Sequence, residues 1–204
     1  QVCDALGAAH DKGIVHRDLK PENIYLIARS GDPTFVKVLD FGISKVADAA
    51  GEDRSLTQTG TALGTPYYMA PEQCQGKRDI DLRADLYSLG VILFLSLTGQ
   101  YPFDDESYPM LVLKICTEEP PPLATYRPDL PPELQYVVQR LLAKDRAHRF
   151  SSCAELKAAL APYLADTSVP VVTVNAPSTS ARGPSVLVGP MKTPTGTAYL
   201  QSEP

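Results

Sequence analysis

The chain has 204 residues, of which 44% are hydrophobic and 21% are charged, proportions that are typical of a soluble globular protein. Its formal net charge of −5 argues against a dedicated nucleic-acid-binding protein, because no basic stripe is available to neutralise phosphates. The longest apolar run, residues 86–97, is shorter than the ~20 residues that a membrane span requires, so we expect a buried helix there.

The first predicted element is a helix over residues 2–9, where apolar residues recur at helical spacing, and Gly13 is expected to end it. Two strand-like runs follow at residues 23–27 and 35–39, separated by a turn-rich cluster. Residues 44–64 have no apolar period and are rich in Thr, Gly and Asp. A loop of that length is uncommon unless it is functional.

The pattern after Pro71 is helical. Further helices are expected over residues 85–97, 107–116, 133–143 and 152–164. Ser151 or Ser152 is a suitable N-cap for the last one. From residue 166 onward the composition changes to Pro, Ser, Thr, Gly, Ala and Val with few charges, so we expect residues 165–204 to form a disordered linker.

The four cysteines are scattered along the chain, without a Cys-x-x-Cys pair or a histidine at metal-ligand spacing. They are Cys3, Cys74, Cys116 and Cys153. We expect reduced thiols, as in cytosolic proteins. No basic segment precedes an apolar stretch, so no signal peptide is predicted. The sequence begins with Gln1, in the middle of a helical pattern, which suggests a fragment.

Three motifs stand in order: His16-Arg17-Asp18-Leu19-Lys20-Pro21-Glu22-Asn23, then Asp40-Phe41-Gly42, then Ala70-Pro71-Glu72. The set resembles the catalytic loop, the metal-binding turn and the end of the activation segment in the eukaryotic-like Ser/Thr protein kinase family. Asp-Phe-Gly alone is weak evidence, whereas the three motifs in this order are highly specific. The lysine at position 20, after Asp-Leu, resembles the catalytic loop of Ser/Thr kinases rather than that of tyrosine kinases. The Thr-rich loop resembles that of bacterial Ser/Thr kinases.

The family fold is α+β overall. The resemblance assigns residues 1–164 to its helical C-terminal lobe, so this chain is expected to be mainly α, with a few short β-strands around the catalytic loop. The sequence contains no Gly-rich phosphate loop and no strand lysine of the Val-Ala-Ile-Lys type. The resemblance therefore implies an ATP-dependent parent kinase and an inactive isolated fragment.

The resemblance also implies roles for residues of the first two motifs. Asp18 would accept the proton of the substrate hydroxyl, and Lys20 would place a positive charge near the transferring phosphate. Asn23 and Asp40 would hold Mg²⁺, which needs only one or two protein oxygens beside the phosphates of ATP. The residues expected around ATP and its metal are Lys20, Glu22, Asn23, Tyr25 and Asp40. Tyr25 stands where the family commonly has Leu.

Other matched residues are expected to support the architecture. His16 and Phe41 would pack together, Asp85 would hold the catalytic-loop backbone, and Glu72 would form a buried ion pair with Arg149. Gly42 completes the metal-binding turn, and Thr65 would contact Asp18 and Lys20.

Arg17, directly before Asp18, is typical of kinases that are switched by phosphorylation of the activation loop, because it could pair with the added phosphate. The expected acceptors are Thr57, Thr59 and Thr61. The alternative is that these threonines are solvated loop residues.

Two other functions remain open: a pseudokinase-like scaffold without turnover, and a kinase of small molecules on the same fold. The scaffold is disfavoured because Asp18, Asn23 and Asp40 are all intact. The small-molecule kinase is disfavoured because the chain contains both Lys-Pro-Glu-Asn and Ala-Pro-Glu. The expected partners are ATP and protein substrates, with a homodimer for autophosphorylation in trans and no nucleic acid. The expected location is the cytoplasm, either free or as the cytoplasmic part of a membrane-anchored kinase.

Overall fold

The structure, a computed structural model, describes residues 1–29, 32–41 and 66–164 of the chain. These residues form a mainly helical domain with one small sheet, as expected. In chain order the elements are α1 (Val2–His10), β1 (Ile24–Arg29), β2 (Asp32–Val38), α2 (Pro71–Cys74), α3 (Arg83–Thr98), α4 (Tyr108–Thr117), α5 (Pro132–Leu141) and α6 (Cys153–Leu164). Short 3₁₀ turns occupy Pro21–Asn23, Pro66–Tyr68, Leu123–Thr125 and Arg146–His148.

Several expectations concern residues that the structure does not describe. They are the loop over residues 44–64, Gly42, Thr57, Thr59, Thr61, Thr65 and the linker over residues 165–204. Among the described residues, no helix has both the length and the apolar composition that crossing a bilayer requires.

The sheet is an antiparallel hairpin in which Ile24 pairs with Val38 and Ile27 with Phe35. Both strands are longer than the sequence predicted, since the ladder extends to the pairing of Arg29 with Asp32 beyond an irregularity after Ile27. The side-chain amide of Gln1 lies against β2. It donates to the carbonyl of Thr34 at 3.1 Å and accepts from the N–H of Val36 at 2.7 Å.

The core surrounds α3, whose side chains are buried on more than one face. Tyr87, Val91 and Phe94 belong to one apolar cluster, whereas Leu86 belongs to a second one together with Leu141. Gly90 allows α5 to approach closely, because a Cβ placed on Gly90 would lie only 2.6 Å from the Cβ of Leu141. The position of α3 between the clusters explains why its pattern is apolar almost throughout.

The start of α6 resolves the two N-cap alternatives. Ser152 Oγ accepts the backbone N–H of Glu155 at 3.1 Å, which is the N-cap contact, and the Glu155 carboxylate accepts the N–H and hydroxyl of Ser151. Helix α6 then packs against α1, so the two ends of the described chain meet. This contact holds α1, and the loop that follows it, against the rest of the domain.

Candidate active site

The loop over residues 16–23, between α1 and β1, is held by a carboxylate from the first turn of α3. The fully buried Asp85 accepts the backbone N–H groups of His16 and Arg17, each at 2.8 Å. Its Oδ2 atom also lies 2.8 Å from Nε2 of His10, at the end of α1. A buried carboxylate needs such partners, since an unpaired one would be strongly destabilising.

Arg17 has a left-handed backbone, with φ of 63°, which a residue with a long side chain rarely adopts. Its N–H is held by Asp85, and its carbonyl accepts a hydrogen bond from the Gln73 side chain at 2.7 Å. Such a conformation costs on the order of 1–3 kcal/mol and persists where surrounding contacts impose it. The two bonds therefore fix the peptide directly before Asp18.

His16 links the 16–23 loop to the end of β2. Its Nδ1 atom accepts the N–H of Asp18 at 3.3 Å, so Nε2 carries the proton and donates to the carbonyl of Leu39 at 2.9 Å. The ring centroid lies 4.8 Å from that of Phe41. Because both nitrogens are engaged and the side chain is buried, His16 positions the loop and has no free nitrogen for proton transfer.

Asp18, Asn23 and Asp40 are brought to the same end of the hairpin. The Asn23 side-chain N–H₂ donates to the carbonyl of Asp18 at 2.8 Å, and the Asn23 carbonyl accepts the N–H of Leu39 at 2.9 Å. Asp40 follows Leu39 directly and also has a left-handed backbone, with φ of 52°. Of the two non-glycine residues with positive φ in the described part of the chain, one directly precedes Asp18 and the other is Asp40 itself.

The Lys20 ammonium lies 3.1 Å from Oδ2 of Asp18, and both side chains are about one-third exposed. An amine and a carboxylate thus share a surface that a substrate can reach. Glu22 is exposed, and Tyr25 is 51% exposed on β1.

Glu72 and Arg149 form a buried two-point ion pair, with N–O distances of 2.7 and 2.8 Å. Arg149 also donates to the carbonyls of Ala143, Arg83 and Lys144 at 2.8–3.1 Å. The pair therefore fastens the Ala-Pro-Glu segment to the helical core.

Comparison with known proteins gives a match to the protein kinase domain over residues 1–161. The chain belongs to the protein kinase family. It is 48% identical to the serine/threonine-protein kinase Pkn1 of Myxococcus xanthus over 92% of this chain and 26% of the relative. It is 46% identical to pkn3 of the same organism over 78% of this chain and 29% of the relative. It is 39% identical to PknB of Mycobacterium tuberculosis over 78% of this chain and 24% of the relative.

These relatives confirm the resemblance to bacterial Ser/Thr protein kinases. The chain spans about a quarter of the length of the curated relatives it matches. Kinases of this family use ATP with a divalent metal ion. The donor set at the hairpin end fits such an ion. The Asn23 amide nitrogen is committed to Asp18, which leaves its oxygen as a ligand, and Asp40 supplies a carboxylate.

Sequence reasoning missed His10 and Gln73 as residues that position the loop. Neither belongs to a motif, and their partners Asp85 and Arg17 lie 75 and 56 residues away along the chain. A signal was present only for Gln73, which directly follows the Ala-Pro-Glu motif. Its side chain also accepts the N–H of Ala70 at 3.0 Å, so it joins that segment to the 16–23 loop.

Proposed function

We propose that this chain is the C-terminal lobe of a protein serine/threonine kinase, which transfers the γ-phosphate of ATP to Ser or Thr hydroxyls of proteins. The observation that carries the proposal is the position of Asp18, Asn23 and Asp40 at one end of the hairpin, joined through the Asn23 side chain and the Leu39 N–H. Phosphoryl transfer requires positioning and charge neutralisation, and this arrangement supplies residues for both.

In the proposed mechanism, the Asp18 carboxylate accepts the proton of the substrate hydroxyl as that oxygen bonds to the γ-phosphorus of ATP. The bond from the γ-phosphorus to the bridging oxygen breaks, and ADP leaves with that oxygen. The Asp18 backbone is fixed on both sides, by His16 and by Asn23, so its carboxylate is presented with little freedom. Lys20, 3.1 Å from that carboxylate, places a positive charge beside the transferring group. Asn23 Oδ1 and Asp40 would hold Mg²⁺, which neutralises phosphate charge when bound.

Replacement of Asp18 tests this mechanism. In the full-length protein, Asp18→Asn keeps the shape of the side chain but removes the proton acceptor. We expect kcat to fall by about 10²–10⁴-fold, with nucleotide affinity retained, since positioned acid–base groups contribute that much. The exposed Asp11→Asn variant is the matched control and should keep wild-type turnover. Unchanged kcat in Asp18→Asn would refute the role of Asp18.

The isolated 204-residue chain should not turn over ATP in this proposal. Tyr25 and Leu26 on the hairpin are 51% and 65% exposed, as expected of apolar side chains that a second lobe would cover. An ATPase and peptide-phosphorylation assay on a purified sample tests this point. Sustained turnover by the isolated chain would contradict it.

We also place the regulation of this kinase in the activation loop. Thr57, Thr59 and Thr61 would be phosphorylated in trans within a transient homodimer, and Arg17 would pair with the phosphate. The left-handed Arg17 backbone, fixed by Asp85 and Gln73, supports a defined direction for that side chain. Phosphopeptide mapping of active full-length protein should find label in residues 55–61, and an unmodified loop in fully active protein would refute this regulation.

The proposed location is the cytoplasm, where ATP and protein substrates are available.

A further inference from the structure

One face of α1 carries Cys3, Gly7 and His10, which the spacing of four and three residues brings into line. Gly7 and His10 lie against Cys153, the first residue of α6, and Cys3 packs against the apolar cluster to which Cys153 belongs. A Cβ placed on Gly7 would lie 3.6 Å from the Cβ of Cys153, and the Cys153 sulfur lies 3.6 Å from Nδ1 of His10. The start of α6 therefore lies directly against this face of α1.

The side chains of Cys3 and Cys153 therefore belong to the same packed contact between α1 and α6. Cys153 is 4% exposed, whereas Cys3 is partly exposed, so solvent and small solutes reach the pair from the Cys3 side. The hydrogen bond from Cys153 lowers the pKa of Cys3 to about 7, against the opposing effect of burial. The same bond raises the pKa of Cys153, so the first proton leaves from Cys3.

The other two cysteines in the described part of the chain, Cys74 and Cys116, have different surroundings. Burial raises the pKa of Cys74 to about 12, with smaller contributions from Cys116. The Cys116 thiol donates to the carbonyl of Pro71 at 3.8 Å. Since the thiolate is the reactive form of cysteine, Cys74 should be inert at neutral pH and Cys3 reactive.

We propose that Cys3 and Cys153 form a redox-active dithiol, which a hydroperoxide converts into a disulfide between α1 and α6. The Cys3 thiolate attacks one peroxide oxygen, the O–O bond breaks, and the leaving hydroxide takes up a proton to become water. Cys3 is then a sulfenic acid. The Cys153 sulfur attacks the Cys3 sulfur, the S–O bond breaks, and a second water leaves with the Cys153 proton. Two thiols are oxidised, and one hydrogen peroxide is reduced to two waters.

Peptide mapping under non-reducing conditions tests this dithiol without any activity assay. The full-length protein is treated with hydrogen peroxide at neutral pH, and remaining thiols are blocked with N-ethylmaleimide. We expect a cross-linked peptide that joins Cys3 to Cys153, whereas Cys74 and Cys116 are recovered as maleimide adducts. Dithiothreitol should restore both thiols. Recovery of Cys3 and Cys153 as maleimide adducts to the same extent as Cys74 and Cys116 would overturn the proposal.

Two serine variants separate the roles of the two sulfurs. In Cys153→Ser the Cys3 sulfenic acid has no partner, so dimedone should label Cys3 more strongly than in the wild type. The double variant Cys74→Ser/Cys116→Ser is the matched control and should form the Cys3–Cys153 cross-link at the wild-type rate. Failure of dimedone to label Cys3 in Cys153→Ser, with circular dichroism showing a folded protein, would overturn the proposed attacking thiol.

Discussion

Asp85 accepts the backbone N–H of Arg17 at 2.8 Å, across 68 residues of sequence, and so holds a peptide that would otherwise avoid its left-handed conformation. The same carboxylate accepts the N–H of His16 and contacts His10. A single buried side chain thus fixes where the 16–23 loop begins. The position of Asp18 depends on this contact, although Asp85 itself lies on the core helix α3.

The Asp85→Asn variant tests that dependence. An amide cannot accept at both positions, so one backbone N–H would face an N–H₂ group and lose its partner. We expect the free energy of unfolding to fall by about 1–3 kcal/mol, the cost of a buried unsatisfied group. Urea unfolding followed by circular dichroism measures it, with exposed Asp11→Asn as the control. Equal stability of Asp85→Asn and wild type would show that the loop does not need the carboxylate.

Breaking the Glu72–Arg149 pair should lower the free energy of unfolding more than Asp85→Asn does. Glu72→Gln leaves the Arg149 charge buried without a carboxylate, and removal of one partner from such a pair typically costs ~3–5 kcal/mol. The Arg127–Asp129 pair provides a matched comparison, because the Asp129 side chain is 53% exposed and solvent screens the interaction. Asp129→Asn should therefore change stability far less than Glu72→Gln does. Thermal unfolding of both variants measures the contrast, and equal losses would contradict it.

Two helical glycines should respond to alanine in opposite directions. In Gly90→Ala the new Cβ meets the Cβ of Leu141 at 2.6 Å, so α5 must shift, and overpacking of this kind typically costs ~1–3 kcal/mol. In Gly7→Ala the nearest atom is 3.6 Å away, an ordinary contact, and the gain in helix propensity is about 0.5–1 kcal/mol. Urea unfolding should show destabilisation for Gly90→Ala alone. A stabilised Gly90→Ala variant would mean that α3 and α5 are packed less closely.

The stability of the folded protein should depend on pH through the buried amine of Lys144. Burial lowers the pKa of Lys144 to about 8 from its usual 10.5, although its ammonium donates to the Ile115 carbonyl at 2.7 Å and lies 3.7 Å from the centroid of the Phe103 ring. Between these two pH values the unfolded chain holds more protons than the folded one. The free energy of unfolding contributed by Lys144 therefore rises with pH across this window.

The measurement compares wild type with Lys144→Met by urea unfolding at several pH values from 7 to about 10.5. The difference in unfolding free energy, wild type minus variant, should increase with pH above about 8. The exposed Lys12→Met variant corrects for the loss of one lysine charge. A difference that stays constant with pH would show that Lys144 is hydrated enough to keep its proton.

The sequence predicted local elements better than contacts between distant ones. The apolar pattern of α3 and the Pro131-Pro132 start of α5 correctly placed those helices, because their signals lie within a few residues. The strand prediction was too short, since β2 begins at Asp32 within residues that read as a turn. Pairing with β1 extends the ladder there, and a tertiary effect of this kind overrides local propensity.

For the candidate site, the order of the motifs predicted that Asp18, Asn23 and Asp40 would belong together. The contacts that support these residues could not be predicted from the motifs. His10 and Gln73 belong to no motif that names them, and their partners are distant in sequence. The cysteines illustrate the same limit. They appear scattered along the chain, yet Cys3 and Cys153 share one packed cluster because α6 returns to α1, a contact that no local pattern encodes.

The Gln1 side chain limits pairing of the small sheet with strands of other proteins. Its amide occupies the N–H of Val36 and the carbonyl of Thr34, the pair of groups that an incoming strand would bond. A hairpin with a free outer edge invites sheet extension and aggregation. Here one glutamine takes the place of a third strand, so at this point β2 offers no template for backbone pairing with another chain.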